Sequence, residues 1–136
     1  MPPKTRATTW RFALLAGAAV LVGGVLWDGV WHARNGRSEV GLDLVAAHGG
    51  IYLGIAIGLL AAVSALVDPA GRSPAFVAAL VGAVLAAVGH GLDFWAHETR
   101  SDARPAHALF LVGEFVLVAT AVLLSPVDLR LPGARR

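Results

Sequence analysis

Gly89-His90-Gly91-Leu92-Asp93-Phe94-Trp95-Ala96-His97 closes a long apolar run and loads it with ionisable side chains. At about 100° per residue, His90, Asp93 and His97 fall within roughly 60° of one another around a helix axis, so the run reads as a helix with a polar stripe. Ionisable groups on so apolar a helix are costly and point to a site. The same phrase stands 65 positions earlier as Gly24-Val25-Leu26-Trp27-Asp28-Gly29-Val30-Trp31-His32, so that Gly-x3-Asp-x3-His occurs twice. The repetition argues against coincidence.

Composition sets the surroundings of that stripe. Of 136 residues, 57% are hydrophobic and 15% charged, which lies outside the range of soluble domains. Four apolar blocks, about 9–32, 41–67, 74–97 and 105–127, are each long enough for the approximately 20 residues that cross a hydrocarbon core. They fill nearly the whole chain. The expected architecture is a single transmembrane domain over residues 1–136, an all-α integral membrane protein with a four-transmembrane-helix bundle, preceded by a mobile polar tail over residues 1–8. The first block follows a basic start, as a cleaved leader does, but it exceeds the usual apolar region of about 7–15 residues and carries one copy of the repeated phrase. It therefore reads as a mature helix.

The chain has no cysteine, which excludes disulfides and thiolate ligands, and its one methionine is Met1, which excludes a thioether cluster for Cu(I). A net charge of +2 does not signal nucleic acid, because the basic residues sit at block ends and in short connections. Lys4, Arg6, Arg11, Arg72, Arg130, Arg135 and Arg136 fall on one side, against Arg34, Arg37, Arg100 and Arg104 on the other. The positive-inside tendency then makes both termini cytoplasmic and turns the repeated phrase toward the outer face. Trp10 and Arg11 suit an interfacial anchor.

The second block of each half also aligns with its counterpart. Asp43-x4-His48-x5-Gly54 matches Asp102-x4-His107-x5-Gly113 at an offset of 59. The simplest account is two tandem repeated helical hairpins, about 9–67 and 74–127, joined by the turn Asp68-Pro69-Ala70-Gly71-Arg72-Ser73-Pro74. Gly50-x3-Gly54-x3-Gly58 is a ridge of small residues that lets helices approach closely, and it reads as packing. Asp43 and Asp102 lie about 140° from His48 and His107 around their axes, so they read as helix-start residues at the positive end of the dipole. Two positions break the repeat. His90 replaces Val25 and Glu114 replaces Ile55, each seven residues, or about 10 Å, deeper than His97 and His107 respectively. On antiparallel neighbours they are expected to meet.

His32, His48, His97 and His107 thus share one depth, and with Asp28 and Asp93 they are expected to surround a common chamber, as metal sites form between facing helices of bundles. Imidazole nitrogen with carboxylate oxygen suits one or two transition-metal ions, copper, zinc or iron. The aspartates serve as ligands or as acceptors that orient the imidazoles. Two other readings use the same residues: a proton or ion path without fixed metal, and haem held between His48 and His107.

Asp-x3-His on one spanning helix followed by a histidine on the next resembles the copper-binding motif in the C subunit of copper membrane monooxygenases, the methane- and ammonia-oxidiser group. The match falls on Asp28, His32 and His48, and again on Asp93, His97 and His107. The intervening stretches here are 15 and 9 residues, unlike that family's, and the motif is doubled. The resemblance implies copper coordination. The expected function is a metal-dependent oxidoreductase of copper or iron, or its metal-bearing subunit, in which His90 and Glu114 are the catalytic proton-handling pair. The competing expectation is non-catalytic metal transport, resistance or sensing. Expected partners are the lipid bilayer, other membrane subunits or a second copy of the chain, and a small or lipid-soluble substrate, with no nucleic acid.

Overall fold

A computed structural model describes residues 3–36, 42–69, 71–99 and 101–125, with side chains from residue 7 and, in the second helix, from residue 45. Four helices follow one another: α1 (Pro3–Asn35), α2 (Leu42–Val67), α3 (Pro74–Thr99) and α4 (Arg104–Leu123). Each is long and apolar enough to cross a membrane. The helix bounds differ from those expected at both ends of α1, at the end of α3, which runs to Thr99, and at the end of α4. The polar tail expected up to residue 8 is helical from Pro3, since proline's fixed φ suits a first helical turn. At its far end α1 runs on to Asn35, where Gly36, at φ 81°, takes the left-handed conformation that stops it. Helix α4 closes at Leu123, where the N–H of Leu124 bonds the Thr120 carbonyl at 2.9 Å; the expected end at Val127 lies outside the described residues.

The helices pair as two antiparallel hairpins, α1 with α2 and α3 with α4, and the hairpins meet more loosely, chiefly through α2/α3 and less through α1/α4. Glycine sets the closeness within each pair. A Cβ on Gly54 would collide with the backbone of Leu21, and Gly24 and Gly50 stand backbone to backbone. In the second hairpin Gly113 meets the backbone of Ala86, and Gly89 that of Phe110. The Gly50/Gly54/Gly58 ridge is accordingly a packing surface, with Gly58 reaching across to Leu117 of α4.

Burial runs opposite to that of a water-soluble bundle. The centre is filled mainly by Ala18, Ala61, Ala62, Ala65, Ala79, Ala83 and Ala121 around Leu14, Phe76 and Leu117. Large apolar groups point outward instead: Leu60 is 67% exposed, Leu26 68% and Phe115 74%. In a bilayer, lipid supplies no hydrophobic drive between helices, so small residues that allow backbone contact at the interfaces and long apolar chains on the outside are the distribution that suits one. A second cluster, Leu21, Ile51, Ile55 and Ala86, caps this centre on the side toward the repeated phrases.

Replacing Gly54 or Gly113 by alanine is expected to lower stability by about 1–3 kcal/mol, the usual cost of overpacking. Gly23→Ala and Gly91→Ala, whose added carbons meet nothing within 4 Å, serve as controls and stay near wild type. Thermal unfolding in detergent micelles reads the difference.

Candidate metal centre

At the connection end of each hairpin, the Asp-x3-His phrase and the histidine of the next helix come together. Asp28 and His32, one turn apart on α1, face His48 of α2: Asp28 Oδ1 lies 3.2 Å from His32 Nε2 and 3.0 Å from His48 Nδ1. Asp93 and His97 on α3 face His107 of α4 in the same way, with Asp93 Oδ1 3.6 Å from His97 Nε2 and 3.4 Å from His107 Nε2. In each triad one donor atom per residue falls within 4.8 Å of the others. The four histidines therefore divide into two clusters, one per hairpin, the grouping that the motif resemblance also draws. The close glycine contacts lie within hairpins, so each aspartate reaches only its own partner helix. Both triads nevertheless line one cavity of about 520 Å³, together with His90, Glu98 and Glu114.

Hydrogen bonds fix two of the ring orientations. His32 Nδ1 donates to the Gly36 carbonyl at 3.2 Å, and His107 Nδ1 donates to the Ala103 carbonyl at 2.8 Å. A carbonyl can only accept, so in both rings Nδ1 carries the hydrogen and the neutral form presents a bare lone pair at Nε2. Those lone pairs face Asp28 Oδ1 and Asp93 Oδ1, which are themselves acceptors. Both oxygens are buried and receive no bond of hydrogen-bond geometry. In the neutral rings this sets acceptor opposite acceptor, an arrangement relieved by a proton on Nε2 or by a metal cation. Metal bonds of about 2.0–2.1 Å at tetrahedral or octahedral angles put neighbouring donors about 2.8–3.4 Å apart. The separations at Asp28 fall in that range, and those at Asp93 lie at and just above its upper edge.

Between the triads lies the pair expected from the break in the repeat. His90 Nε2 and Glu114 Oε1 meet at 2.8 Å, and both residues are buried, 7% and 8% exposed. His90 stacks on Phe110 with ring centroids 4.3 Å apart and stands edge-on to Tyr52 at 5.5 Å. Phe110 in turn meets His107 at 5.2 Å, while His48 lies 6.5 Å from His90. A file of rings thus runs from one triad to the other. Tyr52 and Phe110 were not singled out from the sequence as site residues, although Tyr52 is one turn from His48 and Phe110 lies a turn from both His107 and Glu114. That spacing was the signal available.

Asp102 sits just before α4, where its carboxylate accepts the Arg104 N–H at 3.0 Å and is bridged by the Arg104 guanidinium at 2.9–3.1 Å. These bonds hold its carboxyl below the usual carboxylate range, so the helix-start contact persists until pH falls through that lowered value. The side chain of Asp43, its counterpart, lies outside the described residues. Comparison with protein-family models, curated proteins and solved structures gives no match to this chain.

Glu114→Ala leaves the buried His90 without its partner and is expected to cost about 1–3 kcal/mol. Glu114→Gln keeps the acceptor oxygen and loses less, and the double variant His90→Phe/Glu114→Leu recovers much of the loss. A double-mutant cycle on thermal unfolding measures the coupling.

Proposed function

We propose that this protein is a multi-pass membrane metalloprotein that binds one or two transition-metal ions at Asp28/His32/His48 and Asp93/His97/His107. In this reading it acts as a metal-dependent oxidoreductase, or as the metal-bearing subunit of one, on a small lipid-soluble substrate. One observation carries the reading: buried carboxylate oxygens face imidazole nitrogens at coordination-edge distances without hydrogen-bond geometry. A shared proton would lie near the line joining its two acceptors. A metal ion lies off that line, where several lone pairs converge, and needs no such alignment. The backbone carbonyls at Gly36 and Ala103 supply the outer hydrogen bonds that metal-ligating imidazoles generally make.

Nitrogen and oxygen donors without thiolate suit copper(II), iron or zinc, and the resemblance to the C subunit of copper membrane monooxygenases favours copper. The bound ion would supply Lewis-acid and one-electron chemistry, while the buried His90–Glu114 pair takes up or delivers protons on the inward side of the cavity. The alternative, transport across the membrane, would require a polar track through the other half of the bundle. That half is packed with Leu14, Phe76, Leu117 and alanine, which favours a one-sided site.

The tandem-repeat reading gains support from contacts at equivalent positions. Gly17 meets Gly54 and Gly58 as Gly82 meets Gly113 and Leu117, and Leu21 meets Gly54 as Ala86 meets Gly113. Offsets of 65 for the first helix and 59 for the second relate every member of these pairs. In the membrane, both termini face the cytoplasm and the cavity faces outward.

Elemental analysis and electron paramagnetic resonance of protein purified without chelator and titrated with Cu(II) test the central claim. Wild type is expected to retain one or two ions per chain, and Asp28→Ala and Asp93→Ala each to lose or alter the signal of its own triad. Wild type that retains none overturns the reading. The absence of cysteine makes topology directly accessible. Ser101→Cys is expected to react with an impermeant maleimide added outside intact cells, and Arg72→Cys only after lysis.

A further inference from the structure

The two triads have the same donors but unequal surroundings. In the Asp28 triad the His32 and His48 side chains are 28% and 15% exposed; in the Asp93 triad His97 and His107 are 63% and 46% exposed. The carboxylates differ little, 23% against 15%, so the contrast lies in the imidazoles. His48 is boxed by the rings of His32, Tyr52 and His90 at 5.8, 6.0 and 6.5 Å. Donor spacing follows the same order, 3.0 and 3.2 Å at Asp28 against 3.4 and 3.6 Å at Asp93.

We propose that the Asp93 triad is an exchange site, which takes hydrated divalent transition-metal ions from the outer solution and passes them to the Asp28 triad, which retains its ion. This rests on the metal-binding reading above. Ligand exchange at a metal is stepwise, with water replacing one donor at a time. An imidazole about half exposed at the end of its helix can swing away and admit that water, whereas a ring enclosed by three others cannot leave without displacing them. The shell around a site controls solvent access to the ion. Because both triads line one cavity, an ion taken up at Asp93 reaches Asp28 without returning to bulk water. Glu98, exposed beside His97 and lining the same cavity, adds an anionic group where the hydrated ion arrives.

The test uses the full chain in detergent micelles, loaded with Cu(II) alone and then mixed with excess EDTA, with loading and release followed by electron paramagnetic resonance. Wild type is expected to release two ions in two phases whose rates differ by about tenfold or more, the scale of outer-shell effects on metal sites. His97→Ala or His107→Gln removes the fast phase and slows loading of the remaining ion by a similar factor, while its final occupancy is kept. His48→Ala removes the slow phase and leaves the fast one. Circular dichroism and gel filtration confirm that each variant is folded, and the two-phase release of wild type stands apart from every variant. Binding of a single ion, release of both ions in one phase, a fast phase that survives His97→Ala, or unchanged loading in that variant overturns the exchange role while the metal reading stands. Failure of wild type to bind Cu(II) overturns both.

Discussion

Each cluster draws two donors from one helix and the third from its hairpin partner, so everything about the centre depends on how near those helix axes come. Two residues on one face of a helix meet by its own periodicity. The third donor arrives only if the partner's backbone is close, and that is set by residues with no side chain. Gly24 against Gly50 and Gly54 against Leu21 bring α2 onto α1, and Gly89 against Phe110 and Gly113 against Ala86 do the same for α3 and α4. Larger side chains at those positions would hold the axes apart, and the distances from Asp28 and Asp93 to the second imidazole would lengthen with them. The glycines and the candidate donor residues are one design element, since the first set the spacing that the second need.

The polar groups are placed where an apolar bundle can tolerate them. Insertion of a carboxylate at the centre of a spanning helix costs about 2.5–3.5 kcal/mol, and less toward its ends. Asp28 and Asp93 lie toward the ends, each opposite two imidazoles. Glu114 lies deeper and is matched by a direct bond to His90, on an aromatic bed of Phe110 and Tyr52. Below that level the interior is mainly alanine, glycine and a few large apolar side chains, with Thr120 as a buried polar group.

Much of this was legible in the chain because it depends on short-range periodicity. Apolar block length gave the four helices, the i, i+4 step joined Asp28 to His32 and Asp93 to His97, and the shared seven-residue depth of His90 and Glu114 anticipated their contact. What was not legible depends on how one hairpin sits against the other. The motif resemblance already grouped Asp28 with His32 and His48 and Asp93 with His97 and His107, but no repeat in the sequence encodes the looser α1/α4 and α2/α3 seams, so the ring file between the two groups emerged only in three dimensions. The greater exposure of His97 and His107 is likewise a property of the assembled bundle, since their repeat partners have the same local sequence pattern. Helix ends were misjudged where polarity was read as the end of helix, as at Pro3–Thr8.

Because each donor set is complete within one hairpin, its assembly has low contact order. In membrane proteins helices insert before they associate, and chains emerge from the ribosome N-terminal part first. The first hairpin therefore has all three of its donors in place while the second is still being made. Biogenesis can proceed by stages, with the Asp28 cluster formed early and the Asp93 cluster completed as α4 docks, without any step in which distant parts of the chain must find one another.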